Sequence, residues 1–135
     1  MEEDIINQKR KSYIEIGEVF FWTATIHQWQ KLLWEDNYKD VIIRSLEYLT
    51  NEGKIDVYVP IVIGIILPNH IHIIWRTNEL NGKETAQGSF LKYTAHEFRK
   101  MLLREHKLDS YKVDAENKKH EFWQRDSAAR DSGRK

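Results

Sequence analysis

The stretch LPNHIHIIW, residues 67–75, decides how this chain folds. His70 and His72 are two residues apart in an apolar run, and side chains two apart in a β-strand point to the same face. The alternating isoleucines and Trp75 then point to the opposite face and can enter a core. The preceding Pro-Asn pair predicts a tight turn. The stretch is therefore expected to be the second arm of a β-hairpin, with both histidines just after the turn.

Hydrophobic periodicity on either side of this hairpin predicts the order β-α-β-β-α-β. This order indicates an α+β, ferredoxin-like domain: a four-stranded antiparallel sheet with two helices on one face. We expect one domain over residues 1–127 and a disordered tail over 128–135. The predicted strands cover residues 18–27, 57–67, 70–76 and 121–125, and the predicted helices cover 37–51 and 89–106.

Several local features accompany this prediction. Asn37 and Ser89 are the expected helix caps. Residues 28–36 form a loop whose two tryptophans either anchor it on the core, the interpretation we favour, or stack on bases. Tyr93 and Trp123 are expected in the core, and residues 108–119 form a polar connection.

Composition excludes some classes of protein. The chain has no cysteine, hence no disulfide frame and no thiolate site. Its longest apolar run is too short and too β-branched to span a membrane, and the first residues are polar, so we expect a cytoplasmic protein without membrane contact. Net charge is zero, yet residues 1–88 carry 9 basic and 13 acidic side chains and residues 89–135 carry 12 and 8. A polyanion would prefer the second part, although a solvated helix face explains the same charges.

Two neutral imidazoles on one strand face can supply two ligands to a metal ion. The alternative is a hydrogen-bonded pair of surface histidines, and the residues alone leave both interpretations open.

Five segments stand in order along the chain: VFFWTATIHQW, YKDVIIRSLEYL, LPNHIHIIW, GSFLKYTAHEFRKML and FWQRDS. Together they resemble the HUH single-tyrosine transposases, specifically their REP-associated and insertion-sequence-like branch. The resemblance implies that the chain binds single-stranded or hairpin DNA and that His70 and His72 hold magnesium or manganese. It further implies cleavage and rejoining of mobile DNA through a covalent phosphotyrosine, a ferredoxin-like fold and a homodimer.

Candidate DNA contacts follow from the same comparison and from charge. Gln124 and Arg125 match the family's WQR segment and can contact phosphate or a base edge, although a strand end exposed to solvent explains them equally well. Lys92, Arg99 and Lys100 can follow a DNA backbone, although a solvated helix face is the simpler interpretation.

The chain departs from the family after the FWQRDS segment. The family's nucleophilic tyrosine lies on a following helix, where this chain has SAARDSGRK. We therefore expect a truncated transposase that binds DNA but is impaired in strand transfer. Tyr58, Tyr93 and Tyr111 are not placed to substitute. The alternatives are a metal-dependent nuclease that uses water and a non-catalytic, dimerising ferredoxin-like module.

Overall fold

A computed structural model describes residues 16–57, 66–116 and 118–124 of the chain. These residues form two helices and a four-stranded antiparallel sheet, which confirms the α+β class. A separate two-stranded hairpin accompanies them. The elements are β1 (Val19–Thr25), α1 (Asp36–Asn51), β2 (Ile55–Val57), β3 (Ile66–Leu67), β4 (His70–Thr77), α2 (Ala86–Arg104), β5 (Lys112–Ala115) and β6 (Lys118–His120).

The sheet is organised around β4. β1 pairs with one edge of β4, antiparallel, over the whole length of β1. β2 and β3 both pair with the other edge. Val57 and Ile66 are nine residues apart, whereas their partners Trp75 and Ile71 are only four apart, so the register changes between β2 and β3. Both ends of the strand predicted over 57–67 are thus in the sheet, and its middle, 58–65, lies outside the described residues.

Alternation along β4 separates two faces. Ile71, Ile73 and Trp75 are buried, whereas the residues between them are only partly buried. The indole of Trp75 stacks on Trp22 of β1, with 5.1 Å between ring centroids. Phe90 of α2 meets both indoles edge-on. The helices therefore cover the Trp75 face of the sheet, and the histidines lie on the opposite face.

Each helix buries one stripe of side chains, but the caps of both helices differ from the prediction. α1 begins at Asp36, because the amides of Tyr38 and Lys39 bond to the Glu35 carbonyl; Asn37 is thus inside the first turn and caps nothing. α2 begins three residues before Ser89. Thr85 caps it, and its hydroxyl accepts a hydrogen bond from the Gly88 amide at 3.1 Å.

Three aromatic side chains predicted to be core or core-anchoring are exposed. Tyr93 is 45% exposed on α2, because the buried stripe passes through Phe90 and Thr94 instead. Trp29 and Trp34 lie in two short 3-10 turns after β1 and are 58% and 68% exposed. The prediction that they anchor the loop on the core is wrong.

The part of the chain after α2 also differs from the prediction. Residues 108–119, expected to be a polar connection, contain a 3-10 turn (Leu108–Tyr111) and most of the β5–β6 hairpin. Residues 121–125 do not form a regular strand in the part described. Trp123 instead makes a single antiparallel bridge to Ile26, just past β1, and the Gln124 amide donates to the Thr25 carbonyl.

Trp123 is buried, as predicted, and one polar contact fixes it in the core. Its indole Nε1–H donates to the hydroxyl of Thr94 at 2.8 Å, and that hydroxyl donates to the Phe90 carbonyl one turn earlier in α2. A buried donor that loses its acceptor costs more than an exposed one, because water cannot replace the bond.

We expect Thr94→Val to lower the free energy of unfolding by about 1–3 kcal/mol, since the Trp123 donor is left unpaired. Thr50→Val is the matched control. Thr50 also donates to the carbonyl four residues earlier, but it is exposed on α1. Urea unfolding followed by tryptophan fluorescence measures both variants. Equal stabilities for the two variants would contradict this role of Thr94.

Candidate metal centre

The β1–β4 ladder builds the histidine site from two strands. Thr23 is the register partner of His72, and Thr25 is the partner of His70. All four side chains lie on the face of the sheet opposite Trp75, because side chains alternate along both strands. The histidines lie at the start of β4, directly after the turn that contains Asn69.

Each histidine is held by a hydrogen bond at Nδ1, and the two Nε2 atoms face each other. His70 Nδ1 is 2.6 Å from Asn69 Oδ1, and His72 Nδ1 is 2.9 Å from Thr23 Oγ1. The two Nε2 atoms are 3.1 Å apart, and the imidazole planes are nearly perpendicular, at 80°. A ring nitrogen bonded to an oxygen, with the other nitrogen free for an ion, is the usual arrangement of metal-ligating histidines.

The hydrogen bonds define the tautomers. Asn69 Oδ1 is an acceptor, so His70 Nδ1–H donates to it and the Nε2 of neutral His70 carries a lone pair. Without an ion, His72 Nε2–H donates to that lone pair and the Thr23 hydroxyl donates to His72 Nδ1. If the pair held an ion, His72 would carry its proton on Nδ1 and donate to Thr23 Oγ1. Binding an ion would thus require one proton to move, the Thr23 hydroxyl to rotate and the two rings to turn so that both Nε2 lone pairs point at the ion.

The separation of the nitrogens fits one ion. Two ligands at right angles around an ion, each at ~2.1 Å, lie about 3.0 Å apart, and tetrahedral ligands lie about 3.4 Å apart. The observed 3.1 Å falls between these values. In the part of the chain that the structure describes, no group of three histidine, cysteine or acidic side chains is assembled. Two imidazoles leave several positions of an octahedral ion open to water or phosphate oxygen.

The environment favours the neutral form of His70. Burial, and after it the neighbouring His72, lowers the pKa of His70 below its usual range. A lowered pKa keeps the Nε2 lone pair available at neutral pH, which ligation requires. Phe21 adds a packing contact on the same face, since its ring stacks on His72 with 5.3 Å between centroids and remains 62% exposed.

The structure brings only some of the other predicted site residues to this pair. Gln124 lies beside Thr25, one strand away from His70, and its side-chain oxygen accepts from the Gln28 amide at 3.1 Å. Arg125 lies outside the described residues. The three cations of α2 lie on a helix that packs against the other face of the sheet, and two of them pair with carboxylates. These cations are Lys92 (with Glu84, 2.8 Å), Lys100 (with Glu97, 3.2 Å) and Arg99.

None of the tyrosines in the described part of the chain lies on the histidine face. Tyr48 and Tyr93 are exposed on the helices. Tyr38 is buried and donates to Glu105 at 2.8 Å. Burial, and after it the hydrogen bond to Glu105, raises the pKa of Tyr38, and burial raises the pKa of Tyr111 to about 12. A raised pKa makes a phenol a poorer nucleophile. Tyr58 lies outside the described residues.

Sequence reasoning missed Thr23 and Phe21. Both belong to the first predicted strand and are two residues apart, so alternation of side chains could have placed them on one face. Their approach to His72, however, follows from the register between β1 and β4. That register joins residues 49 positions apart and has no local signal.

Comparisons with protein-family models, with curated proteins and with solved structures give no match to this chain. The resemblance to HUH transposases therefore depends on the five sequence segments alone. No helix in the described ranges is long and apolar enough to cross a membrane.

We expect Thr23→Val to weaken Mn²⁺ binding about 10- to 100-fold, because valine cannot accept the hydrogen bond from Nδ1–H that orients His72. Thr25→Val is the control, since Thr25 lies on the same face but its hydroxyl bonds to neither histidine. Isothermal titration calorimetry with MnCl₂ measures both. Equal affinities for the two variants would contradict an orienting role of Thr23.

Proposed function

We propose that this protein binds single-stranded DNA through a divalent ion held by His70 and His72, in the manner of HUH transposases. The observation that carries the proposal is the 3.1 Å approach of the two Nε2 atoms while both Nδ1 atoms are bonded to oxygens. The proposed ion is magnesium or manganese. When bound, it supplies a Lewis acid that polarises a phosphodiester oxygen.

The architecture supports this proposal. Residues 122–124 bond to the outer edge of β1, and β1 lies between that segment and β4. With β2 and β3 on the far edge, this order matches a ferredoxin-like sheet, which we propose as the fold. Neither of the two described helices covers the face that carries the histidines, and we propose that an extended strand of DNA approaches the ion from that face.

The protein's own side chains hold and orient the site. Asn69 Oδ1 accepts a hydrogen bond from His70 Nδ1–H, and Thr23 Oγ1 would accept one from His72 Nδ1–H if an ion were bound. Phe21 packs against His72 and limits rotation of its ring. Gln124 joins the segment that resembles the family's WQR to the turn after β1. We propose that these residues position DNA phosphate in DNA transposition, that the cleavage and rejoining typical of the family are impaired in this chain, and that the protein acts as a homodimer.

Binding of DNA does not require a nucleophile, whereas strand cleavage does. We propose that the described tyrosines do not attack DNA, because each is either buried with a raised pKa or carried by a helix on the opposite face. Incubation of the protein with single-stranded DNA and Mn²⁺, followed by a denaturing protein gel, tests this. We expect no covalent adduct that peptide mass spectrometry maps to Tyr38, Tyr48, Tyr93 or Tyr111. Such an adduct would contradict the proposal.

We expect the double variant His70→Ala/His72→Ala to lose the Mn²⁺-dependent part of DNA affinity, about tenfold, while binding in chelator remains unchanged. Fluorescence anisotropy with a labelled single-stranded oligonucleotide at low salt measures this. His96→Ala is the control, because His96 is exposed on α2. Absence of binding by the wild-type protein at low salt would overturn the proposed function. Wild-type affinity in the double variant would instead favour DNA binding without the ion.

A further inference from the structure

Trp29 is exposed at a place where the backbone is unusually constrained. Gln28 and Trp29 have φ values of 54° and 59°, in the left-handed region that residues other than glycine rarely adopt. The Trp29 indole is 58% exposed. A backbone in this region persists only when its surroundings fix it, and such positions cluster at functional sites.

The surroundings of this turn are fixed from several sides. The Trp29 amide donates to the Ile26 carbonyl at 2.9 Å, and the Gln28 amide donates to Gln124 Oε1 at 3.1 Å. The side-chain amide of Gln30 donates to the Ser110 carbonyl at 2.7 Å. These bonds hold a turn whose largest side chain stays in water. The Trp29 indole therefore contributes little to the hydrophobic core, so core packing does not explain why the backbone is constrained here.

The same bonds place Trp29 next to the histidine site. Ile26, to which Trp29 bonds, donates its own amide to the Asn69 carbonyl at 2.9 Å. Asn69 in turn bonds His70 through its side chain, and Thr25 is the register partner of His70. The turn that carries Trp29 is thus bonded, through Ile26, to the residue that directly precedes His70, at the end of the sheet where β4 begins.

We propose that Trp29 is a base-stacking residue for single-stranded DNA, and that it takes the base of an unpaired nucleotide next to the phosphate at His70 and His72. This inference rests on the proposed function. An indole face stacks on any base, which gives affinity with little sequence preference. The turn fixes the backbone that carries the indole before DNA arrives, so little backbone freedom is lost on binding.

Trp34 provides a matched comparison. It is 68% exposed and lies in the next 3-10 turn, yet it lines a cleft on the helix side together with Glu35 and Tyr38. Glu105 and Asp109 line the same cleft, and so do Lys31 and Lys107. The cleft also includes Tyr38 of α1 and Leu102 of α2, on the side of the sheet away from the histidines, so Trp34 is not expected to stack on a base bound at His70 and His72.

The test measures affinity for a labelled mixed-sequence oligonucleotide and for an abasic strand of the same length. We expect Trp29→Ala to weaken binding to the oligonucleotide about tenfold. Trp29→Phe should recover most of the loss, and Trp29→Leu should not, since leucine is apolar but cannot stack. Trp34→Ala should bind like the wild type. On the abasic strand, Trp29→Ala and the wild type should bind equally, because no base is present to stack.

The salt dependence adds a second readout. The slope of affinity against salt should be the same in Trp29→Ala and the wild type, because an indole neutralises no phosphate. Wild-type affinity in Trp29→Ala, or full recovery by Trp29→Leu, would overturn the stacking role while leaving the proposed function intact. Absence of DNA binding by the wild-type protein would overturn both. Since Trp29 is more than half exposed, these variants should keep the wild-type circular dichroism spectrum.

Discussion

The antiparallel pairing of β1 with β4 is the constraint on which the core and the candidate site both depend. Its register places Trp22 and Trp75 against α2 and, on the opposite face, Thr23 against His72. A slip of one residue would turn the imidazoles into the core and expose Trp75. Burial of the aromatic cluster therefore specifies the register that brings the two Nε2 atoms together.

A second connection joins the core to the site through residues 122–124. Trp123 is fixed to α2 by the Thr94 hydroxyl, and the next residue, Gln124, holds the left-handed turn at Gln28. That turn is bonded to the segment carrying Asn69, which orients His70. Packing of one buried indole is thus linked, through main-chain and side-chain bonds, to the turn that carries the exposed Trp29.

The sequence predicted the parts of this structure that local periodicity determines. Alternation in HIHIIW placed the histidines on one face, and helical spacing identified the buried stripes. The predicted caps, Asn37 and Ser89, were wrong. Several residues near each helix start can cap a helix, and only the packed structure shows that α1 follows Glu35 and that Thr85 caps α2. The β5–β6 hairpin is rich in charge and lacks apolar alternation, so it left no signal. The contact between Thr23 and His72 depends on pairing across 49 residues, which one sequence does not encode locally.

The tautomer of His72 reports on the metal centre most directly. Long-range ¹H–¹⁵N correlation spectra assign the protonated ring nitrogen of each histidine, with and without a diamagnetic divalent ion such as Mg²⁺ or Zn²⁺. We expect the proton of His72 to move from Nε2 to Nδ1 when the ion is added, while His70 keeps its proton on Nδ1 throughout. Spectra of both histidines that do not change with saturating ion would contradict a metal centre at this pair.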